Sequence, residues 1–170
     1  HFGQNLVSVG YVVHLNYTNP YVSPFDEFQQ FKTHSSIKKV LEGGKRISYG
    51  ARAITTGGYQ SVPKLFFPGG ALIGCSAGFV NYPKIKGTHN AMESGMLAAE
   101  SIVENFSSGD HVNDLSNYQE KYEKGRIAKE LKKVRNVKPF QSRYGRLLGT
   151  LLSGFDMWLN TFGITLPFTL

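Results

Sequence analysis

The spacing of hydrophobic residues changes period several times along the chain. Leu6–Tyr17 (LVSVGYVVHLNY) is β-branched and aromatic with partial alternation, which predicts a strand. Asn19-Pro20 marks a turn. Ser23-Pro24 then opens a helix, with Ser as N-cap and Pro at the first helical position. Phe25, Phe28 and Phe31 recur along it at helical spacing and form an aromatic stripe. Such a stripe either packs into a core or walls an apolar ligand pocket. Ile37–Glu42 predicts a short helix stopped by Gly43-Gly44. Arg46–Ile54 alternates and predicts a second strand, and Gly57-Gly58 a turn. Lys64–Phe67 predicts a short strand closed by Pro68-Gly69-Gly70, and Ala71–Cys75 a short buried one.

A longer helix is predicted from about Thr88, after a loop that carries Pro83 and Gly87. Ala91, Gly95, Ala98 and Ala99 give it a small-residue face, which permits close approach to a sheet or to a flat ligand. Thr88 and His89 lie in its first turn, where free N–H groups and the positive dipole end favour a group that becomes anionic. Close strand–helix packing accounts for the same residues equally well.

Gly145–Phe162 has the clearest helical period. Leu147, Leu148, Leu151, Leu152, Phe155, Trp158, Leu159 and Phe162 make one continuous face. Asp156 splits the apolar stretch, and Gly163 and Pro167 interrupt its end, so neither part reaches the roughly 18 residues of a spanning helix. Two readings remain: a helix buried against the rest of the protein, or one lying in a membrane interface.

Charge bears on that choice. The formal net charge of +7 is local: Glu120–Arg146 holds ten basic residues against three acidic ones, and the rest of the chain cancels. Such a stretch is either a solvated helix laced with Glu–Lys pairs or a surface for an anionic partner. Placed just before an apolar face with one Trp, it fits a lipid surface. Nucleic acid is disfavoured, because no exposed stacking aromatics interleave the basic residues. The 170 residues and 41% hydrophobic content describe a globular chain. A single cysteine, Cys75, excludes a disulfide framework or a cysteine-held cluster within it. With His1 first and no initiator Met, the chain reads as a piece of a longer protein.

Four segments carry a family resemblance: Asn19–Lys32, Leu41–Ile54, Gln60–Met92 with its run GCSAGFVNYPKIKGTH, and Ser94–Ile102. A looser match continues through Tyr118–Glu123 and Val134–Asn136 to the apolar helix. Together they resemble the electron transfer flavoprotein–ubiquinone oxidoreductases and their FixC-like relatives. The resemblance implies an α/β (mixed α+β) fold, with part of a glutathione-reductase-like FAD domain, part of a β-sheet quinone domain and a C-terminal amphipathic helix. It assigns residues 1–55 to the quinone domain, 56–110 to the FAD domain, and 111–170 to the basic segment and membrane-surface helix.

On the same resemblance, Gly74, Cys75, Pro83, Gly87, Thr88 and His89 border FAD. Cys75 stands where the wider superfamily has a ribityl-binding Asp, a charged acceptor that a thiol does not replace. Thr55 stands where the family has Asn, so no flavin contact is carried over to it. Phe25 and Phe28 border the quinone channel, and the apolar face from Leu147 to Phe162 meets the bilayer. The implied partners are electron transfer flavoprotein, ubiquinone and a membrane surface. The implied location is the matrix side of the mitochondrial inner membrane or the bacterial cytoplasmic membrane. No GxGxxG and no cysteine cluster occur here, so the ADP-binding unit and a 4Fe-4S domain are expected outside this piece. Two other functions share these features: a non-catalytic basic amphipathic membrane-binding module, and a related flavoprotein reductase of isoprenoid lipids.

Overall fold

The computed structural model describes residues 1–109 and 114–170; the expected boundary between 56–110 and 111–170 lies outside the described residues. Two compact units, His1–Ala51 and Arg52–Leu170, make up the chain.

In the first unit, helix α1 (Pro24–Thr33) starts where the Ser-Pro signal places it. The Ser23 hydroxyl accepts a hydrogen bond from the Asp26 N–H at 3.3 Å. Asp26 and Glu27 at its start and Lys32 at its end complement the helix dipole. Helix α2 (Ser35–Leu41) follows, capped by the His34 ring. No side chain of this unit is fully buried. The two predicted strands, Leu6–Tyr17 and Arg46–Ile54, are not formed. A strand exists through the ladder of its neighbour, and no described segment pairs with either one, so β-branched composition alone does not produce it.

The second unit holds the core. Strands β1 (Phe66–Phe67) and β2 (Gly70–Ala71) pair antiparallel across a Pro68-Gly69 turn. Gly69 takes the positive φ of 83° that a Pro-Gly turn demands. The predicted strand Ala71–Cys75 is shorter than expected, because Gly74–Ala77 winds into a 3₁₀ turn. Helices α3 (Thr88–Ser108), α4 (Ser116–Lys124) and α5 (Arg126–Lys133) close around Leu65, Phe79, Tyr118, Ile127 and Leu131. Phe79 stacks on Tyr122 with ring centroids 4.9 Å apart. The Tyr118 hydroxyl donates to the Leu72 carbonyl at 3.0 Å, tying α4 to the segment after β2. The described fold is thus mixed but mostly helical, with a small two-stranded sheet.

Helix α3 corrects one expectation. Its inward face is Asn90, Ser94, Ala98 and Ser101, not the all-small set. Gly95 meets open space and Ala99 is exposed, whereas Gly74 and Ala91 do approach closely: a Cβ on Gly74 would lie 2.9 Å from the Ala91 Cβ.

Helix α6 (Val137–Thr161) breaks at Gly145, whose φ of 71° and ψ of −173° leave helical geometry. The arm after the break runs back along the arm before it. The Ser153 hydroxyl reaches the Val137 carbonyl at 3.1 Å, and a Cβ on Gly149 would lie 2.6 Å from the Phe140 carbonyl oxygen. The turn needs a residue free to take positive φ, and the contact needs one with no side chain. Tail and hairpin are joined as well: Arg135 donates to the Leu166 carbonyl at 2.6 Å and to the Thr169 hydroxyl at 3.0 Å. Asn136 donates to the Phe168 carbonyl at 3.3 Å and accepts from the Leu170 N–H at 3.2 Å.

Candidate functional site

Two regions of the second unit hold the residues that the sequence singles out, the start of α3 and the returning arm of α6. The first is the start of α3. Gly87 is the N-cap and offers no side-chain oxygen, and no acidic residue lies in the first turn. The donors of that turn therefore meet no capping side chain, as an acceptor ligand requires. The 81–86 loop that leads in is closed by backbone bonds between Asn81 and Lys86 at 2.8 and 3.3 Å. Val80 lies against Gly87, where a Cβ would come within 3.1 Å of its Cγ2. Gly74 donates its N–H to the Ser94 hydroxyl at 2.9 Å, which brings the Gly74–Ala77 turn against α3. Thr88 is exposed, Cys75, Pro83 and His89 are half-buried, and Gly74 is buried. Asn90 is fully buried with its Nδ2 donating to the Phe79 carbonyl at 3.0 Å.

A carboxylate that sequence reasoning missed organises this region. Glu130 of α5 accepts from Asn81 Nδ2 at 2.7 Å and lies 3.1 and 3.3 Å from His89 Nε2. Lys84 Nζ stands 3.4 Å away and Arg126 3.3 Å away. Arg126 also pairs with Glu93 of α3. Burial opposes ionisation of Glu130, but the hydrogen bonds from Asn81 and His89 and the neighbouring positive charges outweigh it, so its carboxyl sits below the usual range. The ionised carboxylate only accepts, so His89 carries a proton on Nε2. The one available signal was that Glu130 is the single acidic residue within Arg126–Lys133.

The second region is the returning arm of α6. Its inward positions are Gly149, Ser153 and Asp156. Leu147 is 83% exposed and Leu151 72%, and Leu148, Phe155, Trp158 and Phe162 are exposed too. Leu152 and Leu159 are half-buried at the margin of the face. This is the reverse of a core helix, since the large apolar residues point away from the protein. Trp158 packs between Phe155 and Phe162, with ring centroids at 6.2 and 5.0 Å. Asp156 is 2% exposed. Burial pushes its carboxyl above the usual range, and Arg135 only partly offsets this. Among the described residues, no helix is long and apolar enough to cross a membrane.

In the first unit, Tyr11 lies over Phe28 and Phe31, with centroids at 6.3 and 5.4 Å. Phe25 is 69% exposed and outside this cluster. The stripe is thus divided, with two members packed and one open.

A family model described as "ETF-QO, ubiquinone-binding" matches residues 1–54. The chain is similar to mitochondrial electron transfer flavoprotein-ubiquinone oxidoreductase of Caenorhabditis elegans, 56% identical over 156 residues, which cover 89% of this chain and 26% of the relative. It is similar to the Bos taurus protein of the same name, 53% identical over 163 residues, 92% of this chain and 26% of that protein. The Homo sapiens protein gives 51% over 166 residues, with the same two shares. Over most of its own length the chain is thus similar to electron transfer flavoprotein–ubiquinone oxidoreductases. It spans about a quarter of the length of these relatives. The residues matched by the ubiquinone-binding model, 1–54, precede both the α3 turn and the α6 arm in the sequence.

Proposed function

We propose that this segment is a central piece of a membrane-associated flavoprotein that receives electrons from electron transfer flavoprotein and passes them through FAD to ubiquinone. The observation that carries the reading is the returning arm of α6, which buries Gly149, Ser153 and Asp156 and turns its leucines and aromatics outward. A monotopic helix has this form: apolar residues reach into the acyl boundary while the protein holds the opposite side. Ubiquinone is itself lipid-soluble, so an enzyme that reduces it benefits from attachment to the bilayer. The attachment is peripheral, at the matrix side of the mitochondrial inner membrane or at a bacterial cytoplasmic membrane.

Residues 1–55 belong to the quinone domain, with Phe25 and Phe28 beside the quinone. Residues 56–110 belong to the FAD domain, and 111–170 to the membrane-surface segment. Gly74, Cys75, Pro83, Gly87, Thr88 and His89 border the flavin. The uncapped donors at the start of α3 suit the flavin ring, which carries negative charge when reduced. FAD supplies the electron-transfer chemistry, and the protein supplies seating and electrostatics. The family's 4Fe-4S cluster belongs to sequence outside this segment.

The test uses the full-length oxidoreductase. Leu151→Asp with Phe155→Asp is expected to abolish flotation with liposomes and turnover of membrane-embedded ubiquinone, while turnover of a water-soluble quinone persists. Equal loss with both quinones would refute the membrane role. Separately, Gly87→Trp is expected to empty the flavin site, seen as loss of the flavin absorbance band.

A further inference from the structure

Glu130 ties α5 to two neighbouring elements 49 and 41 residues earlier in the chain, the 81–86 loop and the first turn of α3. Through Asn81 Nδ2 at 2.7 Å it holds the loop that leads into α3. Through His89 Nε2 at 3.1 Å it holds the first turn of α3 itself. Its own helix contributes Arg126 at 3.3 Å, and the loop contributes Lys84 at 3.4 Å. One carboxylate, 15% exposed at its side chain, thus faces two permanent cations and one histidine. Glu93 shares that load by pairing with Arg126.

We propose that Glu130 is a positioning residue for the flavin: it orients His89 and the 81–86 loop at the start of α3, and its charge restrains the positive potential there. The proposal rests on the reading of that turn as the flavin seat. Removing the charge while keeping the shape leaves Lys84 and Arg126 less compensated. The added positive potential favours the reduced, negatively charged flavin, so the flavin becomes easier to reduce.

The experiment is a redox titration of the full-length, flavin-loaded oxidoreductase carrying Glu130→Gln. The expected result is retained flavin with a midpoint potential shifted to more positive values. In a His89→Gln background the same substitution is expected to give a smaller shift, because the two side chains act as a pair. An unshifted potential in a flavin-replete Glu130→Gln enzyme overturns the proposal. An equal shift with and without His89 overturns the part that runs through the ring. If Glu130→Gln fails to hold flavin, Lys84→Met decides. It removes an exposed cation from the same carboxylate, is expected to shift the potential to more negative values, and overturns the proposal if the potential stays put. Failure of the flavin seat itself looks different: Gly87→Trp would then leave flavin content unchanged.

Discussion

Helix α5 and the returning arm of α6 lie close in sequence and carry a similar apolar spacing, yet they use it in opposite ways. Helix α5 buries Ile127, Ala128 and Leu131 and leaves Lys129, Lys132 and Lys133 in solvent. The α6 arm buries Gly149, Ser153 and Asp156 and leaves Leu147, Leu151 and Trp158 outside. Periodicity marks a face but does not say which way it points. The opposite face decides that. Lysines cannot go inside unpaired, so the apolar side of α5 must. Gly and Ser fit closely against another helix, so the apolar side of α6 is free to face elsewhere.

The contrast can be broken most sharply by truncating one leucine in each helix. Leu131→Ala is expected to cost about 2–5 kcal/mol of folding stability, the range for a buried Leu. Leu151→Ala is expected to change folding stability by under about 0.5 kcal/mol and to weaken liposome binding instead. Urea denaturation and liposome flotation of both variants check the pair. Comparable folding losses would remove the distinction between the helices.

Next in size is Gly149→Val. Its side chain would collide with the Phe140 carbonyl and the Gln141 backbone, forcing the arms apart at a cost of about 1–3 kcal/mol. The denaturation midpoint should fall, with lower protection of the Ser153 region in hydrogen exchange.

The smallest effects sharpen the comparison through acidity. Glu130 on α5 has its acidity strengthened by its partners, so its stabilisation is present above the ordinary carboxyl pKa and is lost as pH falls through the lowered one. Glu130→Gln is therefore expected to lower Tm at pH 7 and to lose that effect on acidification. Asp156 on α6 has the opposite sign: burial raises its pKa, so its contribution is present below the ordinary carboxyl pKa and is lost as pH rises through the raised one. Asp156→Asn is expected to raise Tm at pH 7, with the gain closing below about pH 4. Tm measured against pH for both variants should give curves of opposite slope.

Local signals were legible in the sequence. Ser23-Pro24 marked the start of α1, Thr88 the start of α3, and the 147–162 period the helical arm. What failed depended on partners far along the chain. Leu6–Tyr17 has strand composition but no ladder partner among the described residues, so it stays irregular. Glu130 meets Asn81 and His89 across 49 and 41 residues, and nothing local announces such a contact. Gly145 was visible as the glycine that opens the helical pattern, but that it reverses the chain follows from contacts between the two arms, Ser153 with Val137 and Gly149 with Phe140. The candidate flavin residues came from resemblance across GCSAGFVNYPKIKGTH, because spacing alone equally fitted helix packing.

The central claim is that the outward face of α6 meets lipid. Trp158, the one tryptophan of the chain, is 58% exposed at the middle of that face and reports on it directly. The decisive measurement is its fluorescence on titration with liposomes, with and without acyl-chain-brominated lipid. The account predicts a blue shift on adding liposomes and strong quenching by the brominated acyl chains. Unshifted emission, with no quenching at lipid concentrations that float the protein, would contradict it.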